Sequence, residues 1–205
     1  MSSLRQSSFF LILIAGAIFG IIHSGLASEA CKNLAARWFG ESGRRYYRLI
    51  FVVIAVVTTF TYAGMVVYLP DQVLYQIHMP WRILALLVQV SALAGMVICF
   101  SQIGTANFLG LTALHAPKEN QSEQSEHLVT NKLYHWMRHP IYTCILVFLL
   151  CTPMMSWNKL AFLIGMAVYM IIGASLEEKK MLKEFGEAYT DYRKNTPMFL
   201  PVRFR

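Results

Sequence analysis

Residues 49–69 read LIFVVIAVVTTFTYAGMVVYL, a run without a single charged side chain. A helix rises about 1.5 Å per residue, so this stretch reaches across the roughly 30 Å of hydrocarbon in a bilayer. Working outward, four further stretches qualify or nearly so. Residues 9–26 are interrupted only by small residues and His23, and residues 83–100 follow the second run. Residues 140–157 and 160–176 come last, joined by a tight turn at 156–159, which predicts a helical hairpin. Composition agrees: 56% of the 205 residues are hydrophobic and 14% are charged, against about 25% charged in soluble domains. The sequence predicts an all-α integral membrane bundle of about five transmembrane helices.

The basic residues set the number of spans and their direction. Of 18 Lys and Arg, 4 lie in residues 29–45, 3 in 103–139 and 7 after Leu176, and Arg48 joins the first group. Five spans put all of these on one face and leave Arg5, Arg82 and Lys159 for the other. That satisfies the positive-inside rule with the N-terminus outside and the C-terminus cytoplasmic. The net charge of +7 is thus explained by topology, and no nucleic-acid partner is expected. The first span has a basic residue before it and a faint cleavage-like Ala27-Ser28-Glu29-Ala30, but its apolar run is long for a signal peptide. It is read as a retained helix. Cys31, Cys99, Cys144 and Cys151 form no CxxC pair, so neither a disulfide framework nor a metal site is expected. No GxxxG dimer face stands out, and no obligate protein partner is inferred.

The polar stretch KENQSEQSE at 118–126 reads as a loop between two unlike parts. Before it lie spans and short connections; from residue 127 onward come nearly all the residues that composition does not explain. Leu182, Phe185, Tyr189 and Tyr192 recur at helical spacing, with Lys and Glu on the other faces, so the fifth helix is expected to leave the membrane and continue as an amphipathic cytoplasmic segment.

Two clusters carry the chemistry. In Tyr134-His135-Trp136-Met137-Arg138-His139-Pro140-Ile141-Tyr142, Pro140 suits the first turn of a helix. Arg138 and His139 then stand at its positive end, a place that attracts anions. Interfacial anchoring is the plain alternative for these residues. Glu177 and Glu178 are adjacent carboxylates where the fifth span leaves the bilayer, a costly depth that points to a functional partner; pairing with nearby lysines is the plain alternative there. A hairpin returns the chain to the face where it entered. Arg138, His139 and Tyr142 therefore meet Glu177 and Glu178 at its open end, forming one wall that seeks anions and one that seeks cations. Such a mouth suits a zwitterion.

The stretch Leu128-Val129, Tyr134, Arg138-His139-Pro140 and Tyr142 resembles the opening signature of the isoprenylcysteine carboxyl methyltransferase and phospholipid methyltransferase superfamily. Glu177-Glu178, Leu182, Phe185-Gly186, Tyr189 and Tyr192 resemble its closing motif, and the two halves together cover about 75 residues in order. The sequence departs at Lys132, where many relatives have Gly. A closer resemblance is to the methanethiol S-methyltransferase branch, through Thr152-Pro153-Met154-Met155, residues 169–178 and 192–198, and Phe108-Leu109-Gly110-Leu111. The first half, with His23-Ser24 and Tyr47-Arg48-Leu49, is similar to NnrU-type membrane proteins linked to denitrification.

The resemblance implies S-adenosylmethionine as methyl donor, with S-adenosylhomocysteine as product, bound at the cytoplasmic end of the last two spans. The acceptor, a small molecule or lipid-like compound, would enter from the membrane. Tyr134, Arg138, His139, Pro140, Tyr142, Glu177 and Glu178 would line the pocket, with His127, Leu128 and Val129 beside the adenosine. Arg138 would hold the methionine carboxylate and Glu177 or Glu178 its ammonium. The face of Tyr142 or Tyr189 would steady the sulfonium. Arg193, or alternatively His139, would activate the acceptor. One membrane domain, 1–205, is expected: three spans in 1–102, a cytoplasmic loop with the cofactor motif in 103–139, the hairpin in 140–176, and the cytoplasmic helix and tail in 177–205. A thiol is the first acceptor considered, with a prenylcysteine carboxylate and a lipid amine as alternatives, in a bacterial inner membrane. The competing readings are an NADPH-dependent sterol reductase, for which the chain is too short, and a non-enzymatic NnrU-like protein using its six histidines for haem or metal.

Overall fold

A computed structural model describes residues 2–111, 114 and 128–201. The polar stretch 118–126, His115 and His127 lie outside the described residues. In chain order the elements are α1 (Ser2–Ala27), α2 (Glu29–Tyr68), β1 (Val73–Gln76), α3 (Trp81–Ile103), α4 (Thr105–Phe108), α5 (Leu133–Trp136), α6 (Pro140–Leu150), β2 (Met154–Ser156) and α7 (Trp157–Asn195). Ser28 alone separates the first two helices; its side chain accepts a hydrogen bond from the Cys31 N–H at 3.3 Å and so caps α2. Gly40, at φ 57° and ψ −137°, breaks α2 into a short leading part and a longer part that carries the apolar run.

Among the described residues four helices are long and apolar enough to cross a bilayer: Gln6–Ala27, Glu29–Tyr68, Trp81–Ile103 and Trp157–Asn195. Val53, Val57, Phe60 and Val67 on α2 and Leu84, Leu87, Val90 and Val97 on α3 all face outward. A surface this apolar belongs in lipid, and the chain is a membrane protein. The expected fourth crossing is built differently from a full span. Its helix, α6, has only 11 residues, about 16 Å of rise. Thr152-Pro153 ends it, because the residue before a proline is pushed out of helical geometry. An extended run leads on to β2, so the turn of the hairpin lies before Ser156 rather than after it.

α7 packs on α1, α2 and α6, while α6 also packs on α3. The core shared by α1, α2 and α7 consists of Ile12, Phe19, Tyr62, Ala161, Met166 and Met170, with Tyr142 of α6 and Tyr169 of α7 against it. At the hairpin's closed end β1 and β2 pair antiparallel, Tyr75 opposite Met155 and Gln76 opposite Met154. There the fully buried Asn158 amide donates to the Leu69 carbonyl at 3.1 Å, and Asp71 Oδ1 accepts from the Asn158 N–H at 3.0 Å. These bonds hold the end of α2 against the start of α7 and leave the hairpin's other end to form the site.

The expected continuous amphipathic helix after the fifth span is replaced by a reversal. Gly186 sits at φ 52° and ψ −121°, outside helical geometry, and the chain beyond it turns back toward α6. Tyr189 and Tyr192 therefore face the hairpin mouth instead of sharing a long face with Leu182 and Phe185.

Tyr62 tests the packing. Its ring lies between two helices at Gly16 and Gly165, where an added Cβ would meet the Tyr62 hydroxyl at 2.4 Å and 2.3 Å. The hydroxyl itself is buried without a hydrogen-bond partner. Tyr62→Phe is expected to stabilise the protein by about 1 kcal/mol by removing an unsatisfied group. Gly165→Ala should destabilise it in the native background yet be tolerated beside Tyr62→Phe, as read by thermal unfolding in nanodiscs.

Candidate functional site

Glu178 is the centre of the hairpin mouth. It lies just beyond the apolar part of α7, and its side chain is only 9% exposed. Arg138, immediately before α6, donates to it twice, Nε to Oε1 at 2.6 Å and Nη2 to Oε2 at 3.0 Å. This side-on pairing is the strongest geometry a carboxylate and a guanidinium can adopt. The Tyr189 hydroxyl donates to Oε1 at 2.9 Å, and His139 Nε2 lies 3.1 Å from the same oxygen. An ionised carboxylate only accepts, so that ring nitrogen carries the hydrogen. Arg193 Nε stands 3.6 Å from Oε2.

Arg138 is almost saturated. Its Nη1 donates to the Arg193 carbonyl at 3.1 Å and also to the Thr196 carbonyl. Together with the bonds to Glu178, four of its five N–H donors are taken. The two walls expected at the mouth have thus closed on each other, with Arg138 paired to Glu178 directly. The carboxylate left toward solvent is Glu177, 45% exposed, which accepts from the Tyr142 hydroxyl at 3.2 Å and lies 3.6 Å from His139 Nδ1. The His139 and Tyr142 rings stack at 5.5 Å with 9° between their planes.

The backbone explains how these groups meet. Lys132 adopts φ 51° and ψ −118° at the start of α5, a left-handed region that favours glycine. Met137 is extended, and the next two residues pair with the tail: Arg138 N–H donates to the Pro197 carbonyl at 2.9 Å and His139 N–H to Met198 at 3.0 Å. Thr143 Oγ1 donates to the Phe199 carbonyl at 2.8 Å, and the Tyr192 hydroxyl to the Tyr134 carbonyl at 2.5 Å. The reversal at Gly186 and this strap carry Tyr189, Tyr192 and Arg193 to Glu178.

Of the residues singled out by sequence, Arg138, His139, Tyr142, Glu177, Glu178, Tyr189 and Arg193 come together, with Pro140 buried beneath them as the first residue of α6. Tyr134 joins through Tyr192. Leu128 and Val129 lie half-buried in the irregular stretch leading to α5. Sequence reading missed the part played by Thr196–Phe199, whose contribution is made by backbone carbonyls and leaves no side-chain signature. Gly186 was the available sign of the reversal.

Burial pushes the Glu178 carboxyl upward, but bonds from Arg138, Tyr189 and His139 outweigh it and hold the group below its ordinary value. Burial likewise raises the phenols of Tyr134 and Tyr189, and pushes Tyr192 up to about 12, so all three stay protonated.

A helical membrane protein whose last two helices close on a buried ion pair, strapped by its own tail, is the class this fold and site define. The family model described as "Protein of unknown function (DUF1295)" matches residues 29–196, and the chain belongs to that family. It is 27% identical over 201 residues to methanethiol S-methyltransferase 1 of Bradyrhizobium diazoefficiens, covering 93% of this chain and 66% of the relative. It is 42% identical over 72 residues to methanethiol S-methyltransferase of Pseudomonas deceptionensis, covering 35% and 28% of the two chains. It is 32% identical over 87 residues to protein-S-isoprenylcysteine O-methyltransferase of Xenopus laevis, covering 40% and 30%. The chain thus spans less than two thirds of the length of these relatives. No solved structure matches it.

Two outcomes follow from the mouth's geometry. Lys132→Gly should raise the midpoint of thermal unfolding, by the equivalent of about 1 kcal/mol, since only the side chain's backbone strain is removed. A carboxyl held below its ordinary value contributes stability that is present above the unfolded value and lost as pH falls through the folded one. The stability gap between the native protein and Glu178→Gln should therefore be full at neutral pH and shrink as pH drops below the ordinary carboxylate value of 4.5; a gap that widens in acid contradicts an ionised Glu178.

Proposed function

We propose that the chain is an integral membrane methyltransferase that binds S-adenosylmethionine at the hairpin mouth and methylates a small or membrane-partitioned thiol. One observation carries this reading: the residues of both halves of the resembled motif, distant in sequence, converge on Glu177 and Glu178. The relatives, named as methyltransferases, support the same activity, and the two from Bradyrhizobium diazoefficiens and Pseudomonas deceptionensis support a thiol. The Xenopus laevis relative keeps a prenylcysteine carboxylate as the second reading. The concentration of Lys and Arg near the mouth supports a cytoplasmic site in a bacterial inner membrane, with the N-terminus outside.

The donor set fits the amino-acid end of such a ligand. The exposed Glu177 carboxylate matches an ammonium, and Arg193, whose side chain is 52% exposed, matches a carboxylate. Arg138 and Glu178 act as the rigid base on which those two are set, since their own bonding capacity is spent on each other and on the strap. When bound, S-adenosylmethionine supplies an electrophilic methyl on a positively charged sulfur. Tyr142, held by Glu177 and by stacking on His139, presents a ring and a hydroxyl toward it. What the chain contributes beyond binding is alignment, worth roughly 7–11 kcal/mol when reacting atoms are held at contact distance.

Calorimetric titration of the protein in nanodiscs with S-adenosylmethionine should show one saturable site. Glu177→Gln and Arg193→Gln, each removing one charge-assisted bond, should weaken it about tenfold or more, while Lys179→Gln should not. Absence of any saturable binding by the unaltered protein would sink the reading.

A further inference from the structure

A second polar cluster lies deeper in the bundle, outside the mouth. His23, one turn from the end of α1, is 8% exposed and enclosed by the rings of Phe19, Phe51 and Tyr169. Its Nε2 is 3.4 Å from Thr58 Oγ1 of α2, and its Nδ1 is 3.3 Å from the Tyr169 hydroxyl of α7. A titratable side chain at this depth is costly to keep and marks a functional place.

The hydrogen-bond partners assign the tautomer. Thr58 has one hydroxyl hydrogen, which is committed to the backbone, lying 2.8 Å from the Ile54 carbonyl and 3.1 Å from that of Ala55. Toward His23 the Thr58 oxygen therefore accepts, and His23 Nε2 carries the ring hydrogen. Nδ1 is left as a bare lone pair, and it accepts from the Tyr169 O–H. This is the arrangement of a neutral imidazole ready to take a proton through a tyrosine.

The cluster is continuous with the mouth. Tyr169, Gly173 and Glu177 stand at i, i+4 and i+8 on one stripe of α7, about 12 Å from first to last. Between the two polar residues Gly173 leaves a gap: a Cβ placed there would meet only the Tyr142 hydroxyl, at 4.0 Å. Tyr142 is the residue that bonds Glu177, and it packs on the same core as Tyr169. A polar column thus descends from Glu177 through Tyr142 and the space beside Gly173 to Tyr169 and His23.

Resting on the methyl-transfer reading, we propose that the acceptor thiol sits beside Gly173 and that His23 takes its proton through the Tyr169 hydroxyl. The S–H bond breaks and its proton passes to the Tyr169 oxygen as Tyr169's own proton moves to His23 Nδ1. The sulfur electron pair forms the new S–CH3 bond, and the donor's methyl–sulfur bond breaks with its pair retained by S-adenosylhomocysteine. The imidazolium then releases the proton to water. Tyr169 touches the substrate and is the catalytic residue of the pair; His23 acts through it.

The discriminating experiment compares an alkanethiol, protonated at neutral pH, with an aryl thiol that is already largely thiolate, using labelled methyl transfer by the full chain in nanodiscs. His23→Gln and Tyr169→Phe are expected to slow transfer to the alkanethiol by about 10²-fold or more and transfer to the aryl thiol by less than about threefold. Calorimetric affinity for S-adenosylhomocysteine should be unchanged in both variants. Equal losses with both thiols, loss of S-adenosylhomocysteine binding, or no loss with either thiol would overturn the relay. If the unaltered protein methylates neither thiol while binding the donor, the thiol assignment itself fails and the relay with it.

Discussion

A single buried carboxylate organises the working end of this protein. Glu178 stands where α7 leaves its apolar part, and a lone charge there would be heavily penalised. The penalty is met by groups that arrive from two separate segments: Arg138 and His139 before α6, and Tyr189 with the nearby charge of Arg193 beyond the Gly186 reversal. Removing any one partner would leave the others less satisfied, so the segments are held as a unit. The apolar hairpin sets the height of the site, and the ion pair sets its shape.

Pairing Arg138 with Glu178 has a functional consequence. A guanidinium with four donors committed is a poor hand for a ligand, but a stable floor. The groups that retain bonding capacity, Glu177, Arg193 and the Tyr142 hydroxyl, stand around that floor. The division places rigidity in the buried pair and recognition at the rim, consistent with the need of a displacement reaction for alignment more than for chemical assistance.

Much of this was legible in the sequence, and the exceptions have physical causes. Apolar run lengths located α1, α2, α3 and α7, because burial in lipid imposes a length that soluble helices need not meet. The hairpin geometry brought Arg138 and Glu178 to one end. Three features departed. The expected fourth span is a helix of 11 residues followed by an extended run, for which Pro153 was the overlooked sign. The tail folds back at Gly186, where helical periodicity on both sides concealed one residue of positive φ. Lys132 adopts a positive φ where the bonds that follow it, from Tyr192 to Tyr134 and from Arg138 to Pro197, determine the path of the chain. The mutual saturation of Arg138 and Glu178 depends on carbonyls of the strap, which carry no sequence signature at all.

The structure of the protein determined with S-adenosylhomocysteine bound would test the central claim most directly. The ligand's amino-acid end should lie between Glu177 and Arg193, with the side-on bond from Arg138 to Glu178 intact beneath it. A ligand held elsewhere on the chain, or one that has drawn Arg138 away from Glu178 to reach its own carboxylate, would contradict it.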